Sequence, residues 1–222
     1  MKKIVGLILL IISFTLSALT GCGSPQIFEQ KNYISDSKNI DSVYIDVIDR
    51  EITVTGSPDN SIYIDYHESA EEYYDFSIEQ NTLIIKYASN KDWTDFIGKK
   101  PAAKHRKISV RLPDSLMSSL YISTTNENIT LESLTFSDKC VLSSNGGNIG
   151  LGNIGVGKTL DLNCKNGNIT GSVIGTWDEF TIKCDIKKGN SNLPAEKSGG
   201  EKLLKTVCNN GDVNISFVQN GN

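Results

Sequence analysis

The feature that most limits how this chain can fold is a repeat in its second half. Asn126-Glu127-Asn128-Ile129 is echoed by Asn145-Gly146-Gly147-Asn148-Ile149, Asn166-Gly167-Asn168-Ile169, Asn190-Ser191-Asn192-Leu193 and Asn210-Gly211-Asp212-Val213. The apolar anchors Ile129, Ile149, Ile169, Leu193 and Val213 are spaced by 20, 20, 24 and 20 residues. A fixed period of this size marks a stacked-coil architecture, in which no unit buries its apolar face alone. Asn and Gly accept positive φ, so the Asn-Gly pairs suit sharp corners. Nine of the 19 glycines fall between Gly146 and Gly175, where the coils are expected to be tightest.

The rest of the chain after the leader also reads as strands. Val43, Ile45 and Val47 alternate with polar neighbours, as do Ile52 and Val54, then Ile62, Ile64 and Tyr66, then Leu83, Ile85 and Tyr87, and finally Ile108, Val110 and Leu112. Period-two alternation of this kind belongs to half-buried strands. A single short helical turn is expected at Asp92–Ile97. The expected fold is all-β: a right-handed, single-stranded parallel β-helix over residues 40–218, irregular in 40–115 and regular in 116–218, with a tail at 219–222. Asn-Gly between alternating apolar residues is also the strongest hairpin signal, so an antiparallel sandwich or meander is the alternative.

The N-terminus carries an address. Lys2 and Lys3 precede an uncharged run from Ile4 to Thr20, then Leu19-Thr20-Gly21-Cys22. A basic start, an apolar stretch and small residues at the cut are the marks of a secretory signal peptide. An apolar residue, two small ones and a cysteine match the lipobox of bacterial lipoproteins. The expectation is cleavage of residues 1–21 and diacylglyceryl modification of Cys22, with Leu19, Thr20 and Gly21 fitting the peptidase cleft. The anchored protein would lie on the extracytoplasmic face of the cell membrane, with residues 22–39 as a flexible tether.

Composition excludes several classes. A formal net charge of −4 has the wrong sign for a nucleic-acid partner. Two histidines leave little for a histidine-rich metal site. Gly152 to Thr159 satisfies Gly-x4-Gly-Lys-Thr, but a phosphate loop needs a helix after it, and Thr159-Leu160-Asp161-Leu162 alternates as a strand. No nucleotide, metal or other cofactor is expected. Cys140, Cys164, Cys184 and Cys208 each fall inside a strand pattern and read as buried free thiols rather than disulfides. Lys99, Lys100, Lys104, Arg106 and Lys107 form the one basic cluster and the best candidate for contact with an anionic envelope surface. Glu68, Glu71, Glu72 and Asp75 read as a solvated acidic loop, and Trp93 and Trp177 as packing residues.

Three segments carry a family resemblance: Ser144-Asn145-Gly146, Cys164-Lys165-Asn166-Gly167-Asn168-Ile169 and Cys208-Asn209-Asn210-Gly211-Asp212-Val213. With Ile108–Pro113 followed by Leu120–Thr124, they make residues 40–218 similar to the bacterial adhesin-like β-strand-repeat family of unknown function. That resemblance implies a right-handed β-helix at the cell envelope and supplies no catalytic residues. The functional expectation is a non-catalytic envelope lipoprotein whose partner, beyond the membrane, is a wall polymer or another envelope protein. The alternative is a polysaccharide-acting enzyme on a parallel β-helix. Against it, residues 126–222 contain no Arg, and Asp161, Asp178, Asp185 and Asp212 are scattered.

Overall fold

A computed structural model describes residues 26–91, 100–114 and 117–219. Its strands in chain order are β1 (Glu29–Asp36), β2 (Ser42–Asp46), β3 (Glu51–Gly56), β4 (Ser61–Glu68), β5 (Glu72–Glu79), β6 (Thr82–Ser89), β7 (Lys107–Leu112), β8 (Ser119–Thr124) and β9 (Ile129–Leu131). They continue as β10 (Leu134–Phe136), β11 (Lys139–Ser144), β12 (Ile149–Val156), β13 (Thr159–Asn166), β14 (Ile169–Ile174), β15 (Phe180–Lys188), β16 (Glu196–Lys197), β17 (Lys202–Asn210) and β18 (Val213–Val218). The described residues hold no α-helix, only short 3-10 turns. The leader and lipobox, the helical turn expected at 92–97, Trp93, Lys99 and the end of the tail lie outside the described residues.

Two nine-stranded sheets face each other across one apolar core. One sheet runs β1-β4-β7-β3-β9-β12-β14-β18, with β10 beside β12; the other runs β16-β15-β17-β13-β11-β8-β2-β6-β5. The repeats pair in parallel, not as hairpins: β8 with β11, β11 with β13 and β13 with β17 in one sheet, β9 with β12, β12 with β14 and β14 with β18 in the other. Antiparallel pairing is confined to the ends, where β1 joins β4, β4 joins β7, β5 joins β6 and β16 joins β15. The architecture is therefore a mixed one, a parallel coil stack with antiparallel ends.

Alternation along each strand becomes stacking across strands. Leu83, Val43, Leu120, Cys140, Leu160, Leu204 and Ile182 form one inward row, each 0% exposed. Cys140 thus fills a place that leucine and valine fill in neighbouring coils. In the facing sheet Ile108, Ile52, Ile129, Ile149, Ile169 and Val213 form the matching row. Leu193 is buried but stands outside this row, because Val213 pairs with Ser191 instead. The corner glycine of that coil is Gly189 and its ladder residue is Asn190, so the Asn-x-Asn-apolar spacing there is displaced by two residues from the structural repeat. Asn192 instead clamps a neighbouring strand. Its side-chain amide donates to the Ile215 carbonyl at 2.8 Å and accepts from the Ile215 N–H at 3.0 Å.

Coil order also departs from sequence order at both ends. The β17–β18 coil, last in sequence, stacks directly on β13–β14, and β15 lies outside it. Gly200 makes this return possible, since a Cβ there would stand 2.2 Å from the Phe180 carbonyl carbon. Likewise the β2–β3 coil, first in sequence, lies between β6–β7 and β8–β9. The segment from Glu29 to Asp36, expected as part of a flexible tether, is a strand paired with β4 along its length. Its Tyr33 stacks on Phe76 at 4.7 Å between ring centroids, a contact that sequence distance hides.

Ile169→Asp would set a carboxylate between Ile149 and Val213 with no partner. The expected cost exceeds about 4 kcal/mol, so the variant should lose cooperative thermal unfolding. An unchanged melting curve would mean that the apolar row does not carry the stack.

Candidate functional site

The repeat's chemistry sits at the corner where one sheet passes into the other. The side-chain oxygen of each ladder residue accepts the backbone N–H of its counterpart in the next coil: Asn148 donates to Asn128 at 2.8 Å, Asn168 to Asn148 at 2.8 Å, Asp212 to Asn168 at 2.9 Å and Asn190 to Asp212 at 2.8 Å. One residue earlier, four of the five positions are glycine (Gly147, Gly167, Gly189 and Gly211), and Glu127 precedes Asn128. At Gly167 φ is +153°, and a Cβ would stand 2.5 Å from the Gly147 carbonyl oxygen. Inside the corner, Thr124, Ser144, Cys164 and Cys208 share one register row. Each supplies a short donor to a corner carbonyl: Thr124 to Arg50 at 2.8 Å, Ser144 to Glu127 at 2.9 Å, Cys164 to Gly147 at 3.2 Å and Cys208 to Gly211 at 3.3 Å. Burial pushes the Cys164 thiol up to about 11, so it stays a protonated donor.

At the β2–β3 corner the place of asparagine and glycine is taken by Asp49 and Arg50. Arg50 is 2% exposed. Its Nε donates to the Tyr74 hydroxyl at 2.6 Å, and its Nη1 to the carbonyls of Ile48 and Asp49 at 3.1 and 3.2 Å. Its Nη2 pairs with Glu72, whose other carboxylate oxygen pairs with Lys91. The guanidinium also lies over the Tyr87 ring, 5.2 Å from its centroid. Glu72 is thus a buried residue at the start of β5 and not part of a solvated acidic loop. Nothing local in the sequence flags it, because its partner lies 22 residues away.

The basic segment wraps this same edge. Lys100 pairs with Asp49 at 2.9 Å, Arg106 with Glu127, and Lys107 with Glu51 at 3.5 Å. Those cations tie the long β6–β7 connection to the corners of neighbouring coils; Lys104 is exposed on the 3-10 turn Ala103–Arg106. Lys158 sits in the turn between β12 and β13 and pairs with Asp138 at 2.9 Å. A strand follows it, so the Gly-x4-Gly-Lys-Thr segment has no helix N-terminus to offer a phosphate. The acids of the repeat region do not converge. Asp161 is held by Lys205 at 3.0 Å on the sheet's outer face, whereas Asp212 belongs to the corner ladder. Among the described residues no group of three or more His, Cys, Asp or Glu is placed to hold a metal.

The outer face of the β8–β11 sheet carries an aromatic and aliphatic row. Ile84, Tyr44, Tyr121 and Val141 are register neighbours, each partly exposed. The two tyrosine rings lie 6.2 Å apart, and the Lys139 ammonium stands 5.2 Å from the Tyr121 centroid. Trp177, 41% exposed, meets Phe217 edge-on at 5.3 Å.

Removing one member of a buried ion pair leaves the other uncompensated. Glu72→Gln should therefore cost about 3 kcal/mol or more in chemical denaturation, and an unchanged midpoint would show that Arg50 does not depend on that carboxylate. Alkali tests this corner together with the repeat corner that holds Cys164. The Tyr74 phenol is pushed by burial up to about 12, from 10.0, and the Cys164 thiol up to about 11, from 9.0. The folded chain holds protons there that the unfolded chain releases, so stability is full below pH 9 and falls as pH rises from 9 toward 12. Denaturation midpoints that stay level from pH 8 to pH 11 would contradict this.

Comparison with known proteins agrees with the geometry at the level of fold. No curated protein matches the chain. A solved structure of a candidate cell adhesion protein from Clostridium sporogenes ATCC 15579 superposes with a TM-score of 0.58 at 11% identity, covering 86% of this chain and 100% of that one. A candidate adhesin from Bacteroides fragilis NCTC 9343 covers 86% of this chain and 97% of its own at 14% identity, with a TM-score of 0.40. The family Toastrack DUF4097 matches residues 40–222. With its parallel Asn-Gly coils and antiparallel ends, the chain belongs to the Toastrack DUF4097 family.

Proposed function

We propose that this is a non-catalytic lipoprotein of the cell envelope, cleaved before Cys22 and held by lipid on that residue at the extracytoplasmic face of the membrane. Two or three acyl chains on one cysteine anchor firmly, where one would not. The coils wind right-handed, as crossovers between parallel strands of one sheet do. The domain acts as a rigid platform whose outer faces bind an envelope component, a wall polymer or another envelope protein. The observation that carries this reading is the row Ile84-Tyr44-Tyr121-Val141, an apolar and aromatic strip on the outer face of a sheet. Tyrosine faces of this kind stack on sugar rings and on apolar side chains alike. The adhesion descriptions of the structural neighbours are in line with it. The absence of catalysis is supported by the way the acids and cations near the corner are committed to structural pairs on different faces.

Two measurements test the proposal. Mass spectrometry of the protein extracted from membranes should find Cys22 as the first residue with a diacylglyceryl adduct; an unmodified Cys22 or another start site overturns the anchor. Retention of the mature chain on purified cell wall or on crosslinked envelope proteins should fall about tenfold or more in Tyr44→Ala/Tyr121→Ala, since each lost aromatic contact removes on the order of 1 kcal/mol. Retention unchanged by the double substitution would move the binding surface elsewhere.

A further inference from the structure

The short span between the proposed anchor and the folded domain has a consequence for how the domain stands. Gln26 is already fixed to the body: its side-chain amide donates to the Ser69 hydroxyl at 2.6 Å. Phe28 is fixed as well, stacked on His105 with centroids 5.0 Å apart and planes 15° from parallel. His105 in turn meets His67 edge-on at 5.2 Å, so both histidines of the chain support this contact. From Glu29 onward β1 is paired with β4, beginning with Glu29 opposite Glu68. Between Cys22 and Gln26 stand only Gly23, Ser24 and Pro25. Four residue steps span at most about 14 Å when fully extended.

We infer that the face formed by Gln26–Phe28, Ser69 and the turn Ala102–His105 lies against the lipid bilayer, with Ile27 entering the interfacial layer. The inference rests on the lipoprotein reading: acyl chains on Cys22 fix that residue at the headgroups, and a span of about 14 Å cannot lift Gln26 clear of them. Ile27 is 79% exposed although both its neighbours are held down, so a branched aliphatic side chain points away from the body at this spot. On the turn that carries His105, the partner of Phe28, Ala102 and Ala103 are exposed, and Lys104 adds one exposed cation. Small apolar groups with a lysine at their rim suit the membrane–water boundary, where the lysine stem lies along the apolar layer and its ammonium reaches the phosphates. Ile78 provides the contrast. It is 52% exposed near the far end of β5, six residues on from Glu72 and so about 20 Å from the edge that holds Ser69. The proposed arrangement puts Ile27 in lipid and Ile78 in water, and the domain is apposed to the membrane, not raised on a stalk.

The test uses the mature, lipidated chain in vesicles of phosphatidylethanolamine and phosphatidylglycerol. Ile27→Cys, Ala103→Cys and Ile78→Cys are each labelled with an environment-sensitive fluorophore; the four cysteines of the domain are buried and stay unlabelled. Brominated acyl chains should quench the label at 27 at least about fivefold more than the label at 78, with the label at 103 close to that at 27. A flexible insertion of ten Gly-Ser residues after Pro25 should bring the label at 27 down to the level of 78. Equal, weak quenching at 27, 103 and 78 overturns the inference. A mass spectrum of the same sample separates the two failures: acylated Cys22 with an unquenched label at 27 removes the apposed face and leaves the lipoprotein reading intact, whereas unacylated Cys22 removes both.

Discussion

Everything in this fold depends on the corner where a strand of one sheet turns into a strand of the other. There the chain must reverse while holding the next coil at the ~4.8 Å spacing of a β-ladder. Backbone N–H groups at a sharp turn would be left without partners, and the asparagine ladder gives them partners in the adjacent coil. The glycine beside the later ladder residues, Gly147, Gly167, Gly189 and Gly211, is the steric half of the same solution, because a Cβ would occupy the neighbouring carbonyl's space. The buried Thr, Ser or Cys inside the corner completes it by donating to the carbonyls that face inward. Once the corner repeats in register, the apolar rows on both sheets follow, since a one-residue slip would turn every strand inside out.

A stack built this way has two exposed ends, and each is a hazard for edge-to-edge association. Three of the four sheet edges end in an antiparallel pair, β1 with β4, β5 with β6 and β16 with β15, and the fourth is the parallel strand β18. At one end β1, β4 and β5 close the stack; at the other β15 and the short β16 do so, with Asn192 clamping the backbone of Ile215 on the edge strand β18. The first closure needs the Arg50–Glu72–Lys91 cluster. The β2–β3 corner lacks both the asparagine and the glycine of the β11–β12 and β13–β14 corners, and the guanidinium takes over the binding of its carbonyls. The same end carries the chain toward Cys22, so the element that closes the core also sets where the proposed anchor emerges.

The division of charge follows from this. The basic cluster between Lys100 and Lys107 looks like a surface for an anionic partner when seen as a linear run. In the fold, Lys100, Arg106 and Lys107 pair with Asp49, Glu127 and Glu51 along the corner edge, and Lys104 has no ion pair with a described residue. The outer faces of the sheets are a second kind of surface, and the β8–β11 sheet carries the tyrosine row.

The amino-acid sequence by itself determined the coil period, the strands with clean alternation, the inward placement of the four domain cysteines and the scatter of the acids in the repeat region. These are legible because each rests on local periodicity or on residue type: a corner of fixed geometry needs Asn and Gly at fixed spacing, and a row of leucines predicts a buried thiol in the same register. Tertiary structure alone decided the rest. The pairing of β1 with β4, the inward tuck of the terminal coils, the two-residue displacement at Gly189–Leu193 and the burial of Glu72 all join segments far apart in the chain. No local pattern encodes them, because their free energy comes from contacts that exist only after the coils have stacked.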